Sequence, residues 1–268
     1  MLLPLRAVAT AAVAACITGA APAARAQAFD AVRLYSAAPG HDGGTVGTAF
    51  IAGTAYPGSA KDRNLIVPLL DYQWRNGWFA GVSNGIGINV SSRPDQQFGL
   101  RLSADLGRKS SRSAALSGLP DIDAKPEIGA FFNHTLSPAL FLTSSLRYGA
   151  GQHGCGLVLD LGAGHSTVLA PQWRLGVGVA ASVVNGGWMQ SYFGVSPAQA
   201  TASGYPAYRP AAGLRDGRAN VALTYQMASR ASITGAASVG TWLGDARSSP
   251  LMRKSTTLTG LVLIGYAF

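Results

Sequence analysis

At 268 residues the chain is long enough for one or two domains of ordinary size, yet only 12% of its residues are charged, about half of what a soluble domain carries. With 34 glycines, 48% hydrophobic residues and Glu127 as its single glutamate, it is too poor in charge to face water all round. The net charge of +9 comes from scattered basic residues with no cluster longer than Arg108-Lys109, which excludes the basic stripe of a nucleic-acid binder and favours anionic lipid headgroups, lipopolysaccharide phosphates or an acidic partner.

Residues 1–26 read as an export signal: Arg6 supplies the positive start, 7–20 an apolar run, and Ala24-Arg25-Ala26 a cleavage site before Gln27. An alternative takes Val13-Ala14-Ala15-Cys16 as a lipoprotein box with Cys16 acylated. If the signal is removed, Cys155 is the one cysteine left, so no intramolecular disulfide forms, a cysteine-based metal site lacks ligands, and no cofactor is implied. After Gln27 no stretch reaches the ~18 consecutive apolar residues of a membrane helix. If the chain crosses a membrane, it does so with strands.

Residues 27–64, rich in Ala, Gly, Pro and Asp, predict an irregular N-terminal segment with one short strand near 46–51; its His41-Asp42 pair reads as solvated loop. From residue 65 the pattern sharpens into alternation. Segments 65–72 and 74–82 predict two strands joined through Asn76-Gly77, a strong hairpin signal. Phe98, Leu100, Leu102, Ala104 and Leu106 then face one way, while Arg101, Ser103 and Asp105 face the other. Residues 108–120 read as a polar, Ser-rich outer loop. Period two resumes over 127–134, 140–148, 157–164 and 173–183, where Trp173, Leu175, Val177 and Val179 oppose Arg174, Gly176 and Gly178. Segments 219–227, 233–243 and 257–268 complete the series.

This is the pattern of an all-β protein: a transmembrane antiparallel β-barrel of about 10–12 strands over residues 65–268, near the ~9–11 residues that a tilted membrane strand needs. Trp74, Trp78, Tyr148, Trp173, Tyr225, Trp242 and Tyr266 stand at strand ends, as interfacial aromatic girdles do. The chain closes on Val262, Ile264, Tyr266 and Phe268, all on one face of the last strand. These predict the lipid-facing surface of a barrel-closing strand and the C-terminal signal for barrel assembly, with Leu261, Leu263, Gly265 and Ala267 turned inward. An apolar inner face there predicts that something packs against it, such as the aromatic segment around 192–208.

Two further groups stand out. Arg101, Asp105, Glu127, Arg147, Asp160 and Arg174 fall on the inward face and predict an interior charge network, as packing glue or as a selective lining. Residues 188–216 carry Tyr192, Phe193, Tyr205, Tyr208, Arg209 and Arg215 among Gly and Pro. That stretch is too irregular for one strand and too aromatic for a linker, so it predicts a loop that plugs or caps the barrel, or else an exposed docking surface.

Several segments in order resemble the MipA/OmpV family of MltA-interacting outer-membrane proteins: P-L-L-D-Y-Q-W-R-N-G-W-F-A-G at 68–81, F-G-L-R-L-S-A-D-L-G-R at 98–108, T-S-S-L-R-Y-G at 143–149, M-Q-S-Y-F-G-V at 189–195, S-G-Y-P-A-Y at 203–208, G-L-R-D at 213–216, G-D-A-R-S-S-P-L at 244–251, and the aromatic C-terminus. The resemblance implies a barrel in the bacterial outer membrane, contacting its lipid and lipopolysaccharide. It also implies a scaffold for murein-remodelling enzymes, with a lytic transglycosylase and a penicillin-binding protein as partners; a porin-like channel is the alternative. The family brings no catalytic residues to carry over. The sequence itself has neither a G-x-S-x-G elbow nor an H-x-x-x-H pair, so the expectation is a non-enzymatic protein.

Overall fold

The computed structural model describes residues 42–268; the export signal, Cys16 and His41 lie outside the described residues. Twelve antiparallel strands form a closed barrel, each paired with its neighbours in sequence and the last with the first. The early strands are β1 (Gly43–Thr54), β2 (Asp62–Gln73), β3 (Trp78–Gly81), β4 (Gly85–Asn89), β5 (Gln96–Asp105) and β6 (Lys125–Thr135). They are followed by β7 (Leu140–Ala150), β8 (Gly156–Ala170), β9 (Trp173–Val184), β10 (Gly213–Gln226), β11 (Ala231–Trp242) and β12 (Thr256–Ala267). Closure leaves every strand a partner, which is the condition for crossing hydrocarbon with strands.

Of the irregular segment expected over 27–64, residues 27–41 lie outside the described residues, and the short strand expected near 46–51 is β1, a full wall strand. It runs in register with β12 from Thr45↔Ala267 to Ala52↔Gly260, and with β2 along its whole length. Its alternation is muted because Gly47 and Ala49 face inward and Thr48 and Ala52 outward; only Val46 and Phe50 mark the exposed face. The long-range demand for an edge to pair with β12 decides its conformation.

Elsewhere the period-two faces stand as expected. Val262, Ile264, Tyr266 and Phe268 are exposed on the outer wall, while Leu261 and Leu263 turn inward. Their inner partners, however, are Ala49, Ile51, Leu65, Val67 and Val82, not the aromatic segment around residue 192. The Asn76-Gly77 turn joins β2 to β3, with Gly77 at φ 88° and its N–H donating to the Trp74 carbonyl at 3.0 Å.

The connections differ between the two ends. Residues 74–77, 90–95, 136–139, 171–172 and 227–230 make tight links at the end that holds Gly43 and Phe268. At the other end the links spanning 55–61, 106–124, 185–212 and 243–255 are long, beside the short turns 82–84 and 151–155. Short turns mark the periplasmic rim and long ones the outer rim. Aromatic pairs belt the short-turn end: Trp173 and Tyr225 lie 4.7 Å apart, and Tyr72 stacks on Phe268 at 6.0 Å. Trp242 departs from the girdle expectation, since it packs inward against Phe193 at 5.3 Å.

Candidate functional site: a charged cluster beneath an aromatic cap

The inward faces of β6 to β10 bring charges together near the outer end. Arg147 links two carboxylates, donating from Nη1 to Glu127 Oε2 at 2.9 Å and from Nη2 to Asp160 Oδ2 at 2.8 Å. Asp160 also accepts from Ser182 Oγ, and Ser182 Oγ in turn accepts from Arg215 Nη2 at 2.9 Å. Arg218 lies 3.5 Å from Asp160 and 3.1 Å from Asp216, which is itself bonded to Arg215. All seven residues are nearly excluded from solvent; Glu127 is 1% exposed. Charges taken out of water at this depth hold only with such mutual pairing.

A local irregularity makes the cluster: the register of β10 against β9 shifts between Leu214 and Asp216. The bulge breaks the alternation, so that Arg215 and Asp216, neighbours in sequence, are both buried. Arg215 then lies face-on beneath Trp188 at 4.8 Å, joining the cluster to what covers it.

That cover is a cap built from the long outer connections. Helix α1 (Gly186–Phe193) starts at Asn185, whose side chain accepts from the Trp188 and Leu157 N–H groups at 3.0 Å each. Helix α2 (Pro197–Ser203) begins with a Ser196/Gln199 capping box and proline at its first turn, and ends on Gly204. A short helix α3 (Gly244–Ser248) follows β11. Trp188, Met189, Tyr192 and Phe193 form one buried core with Ile122, Val158, Val184 and Ala246; Tyr56, Leu116, Leu119, Val195 and Leu251 form a second. Tyrosine hydroxyls cross-link the loops: Tyr205 donates to the Ala115 carbonyl at 3.0 Å and Tyr208 to that of Asp245 at 2.9 Å.

The residues predicted for the interior network fall into three groups. Glu127, Arg147 and Asp160 share the cluster. Asp105 reaches up to the cap, accepting from the Tyr192 hydroxyl at 2.6 Å and the Gly151 N–H at 2.7 Å, while Arg101 donates to Ser145 Oγ at 2.5 Å lower on the same wall. Burial, and then the Asp105 carboxylate, push the Tyr192 hydroxyl above its ordinary range, so it remains a neutral donor. Arg174 is a correction: it sits at the exposed short-turn end, 3.4 Å from Ser166. It stands one residue into β9 from the turn at 171–172, too far down the wall to meet the cluster.

Of the loop residues, Tyr192, Phe193, Tyr205 and Tyr208 take part in the cap, and Arg215 belongs to the strand below. Residues 108–120 do form part of an outer connection, but it packs into the cap: Arg108 is buried and donates to the Tyr192 carbonyl at 2.9 Å. Sequence reasoning missed Arg218, Asp216 and Ser182. Extending the alternation of Asn220 and Ala222 back along β10 would have turned Arg218 and Asp216 inward.

The architecture is that of a bacterial outer-membrane β-barrel. A family model described as "MltA-interacting protein MipA" matches residues 46–268, and the chain belongs to this family. No curated protein sequence matches it. Among solved structures it is similar to the COG4313 outer-membrane channel from Pseudomonas putida F1, at 11% identity and TM-score 0.45, covering 88% of this chain and 98% of that one. It is also similar to a KdgM porin, at 10% identity and TM-score 0.43, covering 84% and 99%.

Proposed function

We propose that this protein is a non-enzymatic docking barrel that holds a murein-degrading lytic transglycosylase of the MltA type at the inner face of the outer membrane, with a penicillin-binding protein as a second client. The observation that carries this reading is the cap packed over the outer end. The cluster's arginines are matched by carboxylates and covered by a two-core cap, an arrangement suited to rigidity rather than to passage of solutes. The family description supplies the partner class. Docking then falls to the periplasmic rim, where the turns present Arg75, Arg93 and Arg230.

The test uses the full barrel in lipid nanodiscs and a purified MltA-type transglycosylase. Saturable binding in the micromolar range or tighter, weakened by reversing the charges of Arg75 and Arg230, is the expected result, at about −8 kcal/mol or better. Absence of saturable binding overturns the docking role. In planar bilayers the barrel should be electrically quiet; steady openings altered by neutralising Arg101 or Arg218 would replace docking with a porin-like channel.

A further inference from the structure

The barrel wall is not of even height. β2 pairs with β1 along its whole length but with β3 only over Asp71, Tyr72 and Gln73, plus one bond from the Val82 N–H to the Leu70 carbonyl at 3.1 Å. Likewise β5 pairs with β6 along its whole length but with β4 only from Gly99 to Leu102. The β3–β4 hairpin turns back at residues 82–84. Above it, residues 62–69 of β2 and 103–105 of β5 have a strand neighbour on one side only, leaving a notch in the outer half of the wall.

Pro68 fits this geometry. Proline lacks the N–H of a ladder bond and is confined in sheets to edges, first residues or bulges, yet here it sits mid-strand in β2. That position becomes an edge only because β3 stops short.

The notch opens at the level of lipid. On the outer faces beside it, Ile66 is 73% exposed and Leu102 52%; their ladder neighbours Phe50 and Ile128 are exposed as well. Inside, it meets an apolar patch of the lumen, where Ala49, Ile51 and Val67 are buried with Leu65, Val82, Leu261 and Leu263. Below, Phe79 and Phe131 meet edge-on at 5.8 Å. Gly87 makes room for them, since a Cβ there would come within 2.5 Å of Phe79.

The upper rim is basic. Lys61 is exposed, Arg63 turns toward the lumen, and Arg112 lies close enough to feel the Arg63 charge. The carboxylates nearby are Asp62, which faces outward, Asp71 at the floor, which accepts from the Ser83 N–H at 3.0 Å, Asp105 on the β5 edge, which is held by the Tyr192 hydroxyl and the Gly151 N–H, and Asp121, which reaches Arg112 but pairs with Lys109. An apolar path from bilayer to lumen with cations at its top matches a tail with a negative head.

We propose that this notch is a lateral portal which admits the alkyl chain of a single-chain anionic amphiphile, of the alkyl carboxylate class, from the outer leaflet onto the lumenal apolar patch, its head held by Lys61, Arg63 and Arg112. The inference is independent of the docking role. It makes the protein a receptor or conduit for an amphiphile from its membrane side, while the cap closes the aqueous side.

The test is photolabelling of the full barrel in phosphatidylcholine vesicles with hexadecanoic acid bearing a terminal diazirine, the adducts being mapped by residue. Two control probes carry the same diazirine on hexadecanol and on phosphatidylcholine. The acid should label Val67, Ile51 and Leu263 inside the barrel, with roughly tenfold enrichment over the alcohol that is lost in an Arg63→Gln, Arg112→Gln double variant. Heat-modifiable gel migration establishes that the variant is folded. Labelling confined to the outward Ile66, Leu102 and Val262 with all three probes would mean a sealed wall. Equal internal labelling by phosphatidylcholine would assign the patch to bulk phospholipid. Either result overturns the proposal.

Discussion

The two walls of this barrel solve the problem of an interior in opposite ways. From β6 to β10 the inward face carries charge, and the strands are 11 to 15 residues long. From β11 through β12 to β1 there is no Asp, Glu, Lys or Arg, and the inner surface of β12 and β1, with Leu65 and Val67 of β2, is an apolar cluster. Beyond β2 come the short β3 and β4. A charged face in a low-dielectric interior demands complete partners, so that wall and its cap are built to a single arrangement. An apolar face makes no such demand, and the wall beside it can be cut short without stranding a charge.

The largest expected effect lies on the apolar side. Deleting Phe268 removes the stack on Tyr72 and the backbone bonds between Phe268 and Gly44 in both directions, each at 3.0 Å. Export should proceed while membrane assembly fails, seen as loss of heat-modifiable migration; normal assembly would show that the seam needs no terminal aromatic. On the charged side, Arg147→Ala takes the ion-pair partner from buried Glu127 and one of the arginines from Asp160, and urea titration should report a loss of about 3–5 kcal/mol. A loss below 1 kcal/mol would make the two walls equivalent in stability.

A smaller effect is expected at the junction of wall and cap, where Tyr192→Phe removes the hydrogen bond to Asp105 at a cost of about 2 kcal/mol. Because the folded state raises the Tyr192 pKa, this contribution is complete below the ordinary tyrosine value of 10.0 and fades as the pH rises beyond it. Limited proteolysis of the 185–212 connection should accelerate at alkaline pH in the wild type and much less in the variant. Smallest of all, Arg174→Gln at the exposed end should change stability by less than about 0.5 kcal/mol. A larger loss would extend the charged wall to the periplasmic rim.

The walls were also unequally legible in the sequence. Leu100 and Leu102 against Arg101 and Ser103, or Val177 and Val179 against glycines, announce their faces because one side meets lipid and the other does not. β1 gave little signal, since Gly47, Ala49 and Ala52 look alike from either side; only pairing with β12 at one edge and β2 at the other makes it a strand. The cap was harder still. Tyr192 and Phe193 were visible as aromatics out of place, but Arg108, Leu116 and Leu119 read as surface loop because their partners lie in other connections. Arg147 and Asp160 could be placed inside by parity alone. Asp216 follows by the same parity along β10, but that Arg215 joins them depends on a bulge, an event of one extra residue that no period reveals.

The seam between β1 and β12 also sets an order in time. Eleven of the twelve pairings join consecutive strands and can form as soon as both have been made, but the β1–β12 pairing joins the two ends of the described chain. Their union carries the greatest loop-closure entropy of any pairing in the molecule. Until Thr256–Ala267 is delivered, the sheet is open at both edges and able to join a second copy instead. The joining of β12 to β1 is therefore the step at which a sheet with two sticky edges becomes a closed barrel.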